Sequence, residues 1–179
     1  MSTFKKTLFA FLIFFIQILI LDHLPLSWGI QINLFIYIFL CLIPFNYNKT
    51  LLLLIGFAIG MLRDLFTFTY GLYAFASTLL MFLQYYYFRL PQFNKYRKAD
   101  KLLYANSDLL GWPGFLLYIT IFTIIFSFTT AIIEYFTTWM YLRLLFIIKE
   151  IFFSILFICI AELIRSLLFH KEAIGRASE

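Results

Sequence analysis

Residues 50–88 read TLLLLIGFAIGMLRDLFTFTYGLYAFASTLLMFLQYYYF, and this stretch decides the fold. It holds two long apolar runs whose only charges are Arg63 and Asp64, and Gly71 divides them. A helix needs about 20 apolar residues to cross a hydrocarbon layer about 30 Å thick, and each run approaches that length. Gly71 supplies the turn, so the stretch is a hairpin of two membrane helices, from Thr50 to Tyr70 and from Leu72 to Phe88.

Working outward, the same pattern recurs. On the N-terminal side, Ile30 to Phe45 is another apolar run, ended by Pro44 and by Asn46-Tyr47-Asn48-Lys49. Before it, Thr7 to Leu21 follows Lys5 and Lys6 and is ended by Asp22-His23-Leu24-Pro25. No small-residue cleavage site follows that run, so it is expected to be an uncleaved first helix and not a secretory signal. On the C-terminal side, Arg89 to Gly111 is the longest polar stretch, with room for a short surface helix. Trp112 and Pro113 open a fifth helix that reaches about Tyr135. Phe136 to Tyr141 turns, and Arg143 to about Phe169 forms a sixth.

Composition agrees with a single membrane domain over residues 1–179. The chain is 64% hydrophobic, 22% aromatic and only 13% charged, with a mean hydropathy of +0.94. A soluble domain is usually about 25% charged, and so much apolar surface cannot be hidden inside 21.3 kDa unless lipid covers it. The formal net charge of +5 first suggests nucleic acid, but the positions of the cations argue for topology. Lys5, Lys6, Lys49, Arg89, Lys95, Arg97, Lys98, Lys101, Arg165, Lys171 and Arg176 fall at the two ends or in alternate gaps. Six spans with both termini inside put all of them, and the basic 89–111 loop, on the cytoplasmic face. Trp28, Trp112 and Trp139 stand at segment ends, as interfacial indoles do, and anionic head groups are the natural contact of the basic face.

Chemistry is sought among polar groups that lipid penalises. Asp64 lies about 21 Å along the helix from Lys49, inside the hydrocarbon, where a lone acid costs about 2.5–3.5 kcal/mol. Gly56, Gly60 and Asp64 share one stripe, because they stand at i, i+4 and i+8. Small residues so spaced let a second backbone approach, with the carboxylate continuing the face toward its donors. The alternative reading has Asp64 capping the start of the next turn or pairing with Arg63 through a bend. On the sixth helix Glu150 and Glu162 are 12 residues apart, about 18 Å, so both cannot clear the membrane easily. Glu162 with Arg165 reads as an interfacial pair, and Lys149 with Glu150 as the pair at depth. Lys149 would then reach outward while Glu150 shares a face with Arg143.

Catalytic sets are not evident. His23 and His170 are the only histidines, and they fall on opposite faces of the expected topology. Cys41 and Cys159 sit in separate apolar runs, read as fillers, and form no metal spacing. No cofactor, metal or nucleic-acid site is expected.

The stretch IGFAIGMLRDLFTFTYGLYAFAS resembles the central signature of the rod shape-determining protein MreD family, a helix of the form FxxGxxxD followed by a glycine turn and a GxHAxA-like stretch. The early FIQILILDHLPL, the IxPF end of the second run, the basic middle loop and LLYITIFTIIFSFTTAIIEYF with Glu134 near its end are similar too. Carried over, the signature falls on Phe57, Gly60, Asp64, Gly71, Ala74 and Ala76. Tyr73 stands where that family often has His. The resemblance implies a non-enzymatic bacterial inner-membrane component of the cell-elongation, peptidoglycan-synthesising machinery. It implies binding to MreC and links to MreB and to RodA with its penicillin-binding transpeptidase. It also implies an all-α fold similar to the S components of vitamin transporters, and hence the alternative of a small-molecule or lipid-binding transport subunit. The residues then expected to pack or meet a partner are Gly56, Phe57, Gly60, Arg63, Asp64, Gly71, Tyr73, Ala74, Ala76, Glu134 and Glu150.

Overall fold

The computed structural model describes residues 3–22, 32–93, 103–138 and 144–175, and among them helices dominate and no strand occurs. Helix α1 is Thr3–Ile16, continued by wider π-helical turns at Gln17–Leu21. A short π-helical segment, Ile38–Leu42, follows. Helices α2 (Lys49–Thr67) and α3 (Leu72–Tyr87) come next, then a single 3-10 turn at Pro91–Phe93. Helices α4 (Ser107–Thr138) and α5 (Leu144–Gly175) complete the order. Two stretches, Lys49–Thr67 and Ser107–Phe136, are long and apolar enough to cross a membrane, and Thr7–Leu21 is a shorter apolar helix.

The α2–α3 hairpin has the closest packing, and glycine is the cause. A Cβ added at Gly60 would stand 2.6 Å from the Tyr73 carbonyl oxygen and 2.7 Å from the Ala74 Cα. One added at Gly56 would stand 2.8 Å from the Met81 Cγ. The stripe is therefore filled by the chain's own α3. Ser77 locks the contact, its hydroxyl standing 2.7 Å from the Gly56 carbonyl oxygen and 2.6 Å from that of Tyr73 and sharing its one proton between them. The turn begins earlier than Gly71 alone suggests. Phe68 ends α2 in the left-handed region at φ 57°, Tyr70 follows at φ 46°, and Gly71 completes the turn at φ 91°. Phe68 and Tyr70 consequently point away from the body, 81% and 101% exposed.

The second apolar run is not a regular spanning helix. Every residue from 32 to 45 is buried, and only 36–42 are helical. A segment that is apolar all round belongs in a core, and here it is wrapped by the other helices. Phe35 meets Phe14 and Phe39, and Tyr37 meets Phe9 edge-on. At the other end Phe45 stacks on Phe88 at 3.9 Å between centroids.

Helix α4 starts five residues before Trp112. Asn106 caps it, its side-chain oxygen accepting from the Leu109 N–H at 3.1 Å, and Gly111 at φ 71°, ψ 158° sets the first turn at an angle to the rest. The stretch 103–111 thus packs in part against the body, while Asp108 and Gly111 stay exposed. Ala105 is fully buried, and the Phe45 N–H donates to the Leu103 carbonyl at 3.1 Å. His23, Trp28, Lys95, Arg97, Lys98, Lys101, Trp139, Arg143 and Arg176 lie outside the described residues, as do the side chains of Lys5, Lys6, His170 and Lys171.

Candidate functional site

Two buried polar networks sit inside this apolar body. The first surrounds Arg63, which is fully buried although α2 carries it within the last turns of an apolar helix. Its Nη2 donates to Asp22 Oδ1 at 2.8 Å and its Nη1 to Asn33 Oδ1 at 3.0 Å. The guanidinium lies 3.7 Å from the Tyr73 ring centroid and 5.0 Å from that of Phe35. Arg63 therefore does not pair with its neighbour Asp64. Adjacent helical residues point about 100° apart, and the two side chains serve different parts of the fold.

From Arg63 the network spreads to four further elements. Asn33 Nδ2 donates to Glu150 Oε1 at 2.7 Å, and the Ser127 hydroxyl reaches the same oxygen at 2.9 Å. The Asn33 N–H donates to the Ser154 hydroxyl at 2.9 Å. Gln17 closes the other side: its Nε2 donates to Asp22 Oδ1 at 2.7 Å and to the Ile32 carbonyl at 2.9 Å, and its Oε1 accepts from the Phe35 N–H at 3.0 Å. The widened turns of Gln17–Leu21 begin at this side chain, where one amide ties α1 to the extended backbone of 32–35. Arg63 Nε and Asp22 Oδ2 have no partner among the described residues.

Asp64 has a distinct and local task. Its Oδ1 accepts from the Thr69 hydroxyl at 2.5 Å and the Tyr73 N–H at 3.0 Å, and its Oδ2 from the Ala74 N–H at 2.7 Å. The Tyr73 and Ala74 N–H groups are free donors at the start of α3, where a carboxylate also meets the positive end of the helix dipole. Of the alternatives open in the sequence, capping is the one found.

The second network centres on Glu162, which pairs with Arg165 as the i, i+3 spacing suggests and is fully buried. Its Oε1 accepts from the Ser107 N–H at 2.8 Å, the Ser107 hydroxyl at 2.7 Å and Arg165 Nη2 at 2.8 Å. Its Oε2 accepts from the Tyr37 hydroxyl at 2.7 Å and Arg165 Nε at 2.8 Å. Arg165 also reaches Asp108 Oδ2 at 2.9 Å. The early start of α4 brings Ser107 and Asp108 here, which no spacing within the sixth run could reveal.

The remaining sequence candidates are scattered. Tyr73, Ala74 and Ala76 are buried where α3 meets its neighbours, whereas Phe57 is half exposed on the outer side of α2. Glu134 borders a cavity of about 580 Å³ beside Phe68, Thr69, Tyr70, Gly71, Leu72, Phe75 and Ile133. Lys149 is exposed, its Nζ 5.9 Å from the Phe146 ring centroid, and it does not share in the Glu150 contacts described above. Gln17, Asn33, Ser127, Ser154 and Tyr37 were not singled out by sequence. The available signal was an amide inside an apolar run, Gln17 in FIQIL and Asn33 in IQINL. Among the described residues no group of three or more His, Cys, Asp or Glu side chains could hold a metal ion.

A groove of about 590 Å³ opens on the outside between α1, α2 and the 38–42 segment. Its lining is apolar apart from Thr7, and includes Phe11, Phe15, Leu19, Ile59, Leu62 and Phe66. No known protein family, characterised protein or solved structure matches the chain.

Proposed function

We propose that this chain is a multi-pass protein of the bacterial inner membrane that acts as a non-enzymatic scaffold of the cell-elongation complex. In this reading it binds MreC and links it to MreB and to RodA with its penicillin-binding transpeptidase. The observation that carries the reading is a contrast between inside and outside. The deep carboxylates Asp64, Glu150 and Glu162 are each engaged by the chain's own donors, while an apolar groove stays open between α1 and α2. A transport subunit needs polar groups free to meet a ligand, and these are occupied. A scaffold needs a surface that a neighbouring helix can fill by close packing, and the groove is of that kind. The six-span topology with both termini in the cytoplasm belongs to the same proposal, because it keeps eleven of the fourteen basic residues on one face.

Depletion tests the role. Rod-shaped cells should turn round and lose co-localisation of MreC with the synthases, while the purified synthases keep their polymerase activity. Cells that stay rod-shaped but fail to take up a particular vitamin or lipid would replace the scaffold with the transport subunit.

A further inference from the structure

The cations at the Lys49 end of the α2–α3 hairpin are held in a manner that neither network explains. Lys49 Nζ lies 4.9 Å from the Phe82 ring centroid and 5.1 Å from that of Tyr86, and it donates to the Tyr86 hydroxyl at 3.1 Å. Arg89, two residues beyond the end of α3, lies 4.1 Å from the Tyr85 centroid. Tyr85 and Tyr86 meet edge to face, with centroids 5.4 Å apart, so one aromatic pair positions both cations. Among the described residues no carboxylate pairs with either, and Asp108 and Glu162 are taken by Arg165. Each cation keeps unused N–H donors, since a ring face attracts the charge without accepting its hydrogen bonds as an anion does.

Two positioned cations with no carboxylate partner among the described residues, beside apolar surface, define a ligand with a phosphate and a hydrocarbon part. Tyr86 on α3 and Leu90 after Arg89 are 47% and 44% exposed. We propose that the Lys49–Arg89 corner binds the head-group phosphate of an anionic phospholipid, whose acyl chain lies against these exposed side chains. The proposal rests on the reading of α2 as a span with Lys49 at the cytoplasmic surface. Holding the cations on aromatic rings reduces the side-chain freedom that binding must otherwise remove, which distinguishes this corner from a loosely basic face. A free phosphate would satisfy the cations alone.

The test uses the full chain in mild detergent, mixed with equimolar dioleoylphosphatidylglycerol and dioleoylphosphatidylcholine and read by native mass spectrometry. The phosphatidylglycerol should be retained in preference. Lys49→Gln and Arg89→Gln should each weaken retention about fivefold, and the double variant about 25-fold. Lys49→Arg and Arg89→Lys keep the charges and should retain the lipid, which controls for misfolding. A charge-matched tail variant, Lys171→Gln with Arg176→Gln, should bind as the parent does, and inorganic phosphate should not displace the lipid. Equal retention of both lipids, undiminished retention in the double variant, equal loss in the tail variant, or displacement by inorganic phosphate would each overturn the proposal. Co-purification of MreC is scored separately, so failure of the lipid site and failure of the scaffold reading are told apart.

Discussion

The two buried networks lie about 18 Å apart along α5 and are built on opposite principles. Around Glu162 one carboxylate is the hub, and five hydrogen bonds from Ser107, Tyr37 and Arg165 satisfy both of its oxygens. Around Arg63 one guanidinium is the hub, shared by Asp22 directly and by Glu150 through Asn33, with two buried polar atoms left unpartnered. The anion-centred network ties the 36–42 segment and the start of α4 to α5. The cation-centred one joins α1, the 32–35 backbone, α2, α4 and α5, so a single side chain there holds more of the fold together.

That difference ranks the consequences of breaking each network. Arg63→Leu should cost the most, about 3–5 kcal/mol, because it leaves the mostly covered Asp22 carboxylate without its cation. Thermal unfolding of the purified protein in detergent measures it, and adding Asp22→Leu should recover part of the loss; simple additivity would remove Arg63 as the hub. Glu162→Gln should cost less, about 2–3 kcal/mol, since one acceptor survives and Arg165 keeps Asp108. A loss as large as that of Arg63→Leu would make the two networks equivalent. Asp64→Asn should cost about 1 kcal/mol, because an amide oxygen keeps the Thr69 and Tyr73 donors and only the bond from Ala74 is lost. Asp64→Leu removes the cap altogether and should be clearly worse on the same assay. The smallest effect has the opposite sign. Thr123 is fully buried on α4 with no partner for its hydroxyl among the described residues. Thr123→Val should therefore leave stability unchanged or raise it by up to about 1 kcal/mol, and a marked loss would mean that the hydroxyl is engaged.

The hairpin was largely legible because its signals are local. Length, Gly71 and the Gly56–Gly60–Asp64 spacing all act within 39 residues. The networks were legible only in part, because depth and partners are set by segments far away in sequence. Glu162 and Arg165 stand at a visible i, i+3 spacing, but Tyr37 and Ser107 complete their site from 125 and 55 residues away. Asn33 and Gln17 carry no formal charge, so a search for expensive charges passes over them, although a buried amide also requires partners. The irregular, wholly buried course of the second run was not legible, because apolar periodicity does not separate a lipid-facing helix from a buried segment.

The scaffold reading is tested most directly by photo-cross-linking in living cells. A photoreactive residue is placed at Phe15 or Leu62 in the α1–α2 groove, or at Phe153 on the exposed side of α5. The account predicts efficient cross-links from Phe15 and Leu62 to the membrane helix of MreC, identified by mass spectrometry, and few from Phe153. Cross-links to MreC from Phe153 alone, or only lipid adducts from both groove positions, would contradict it.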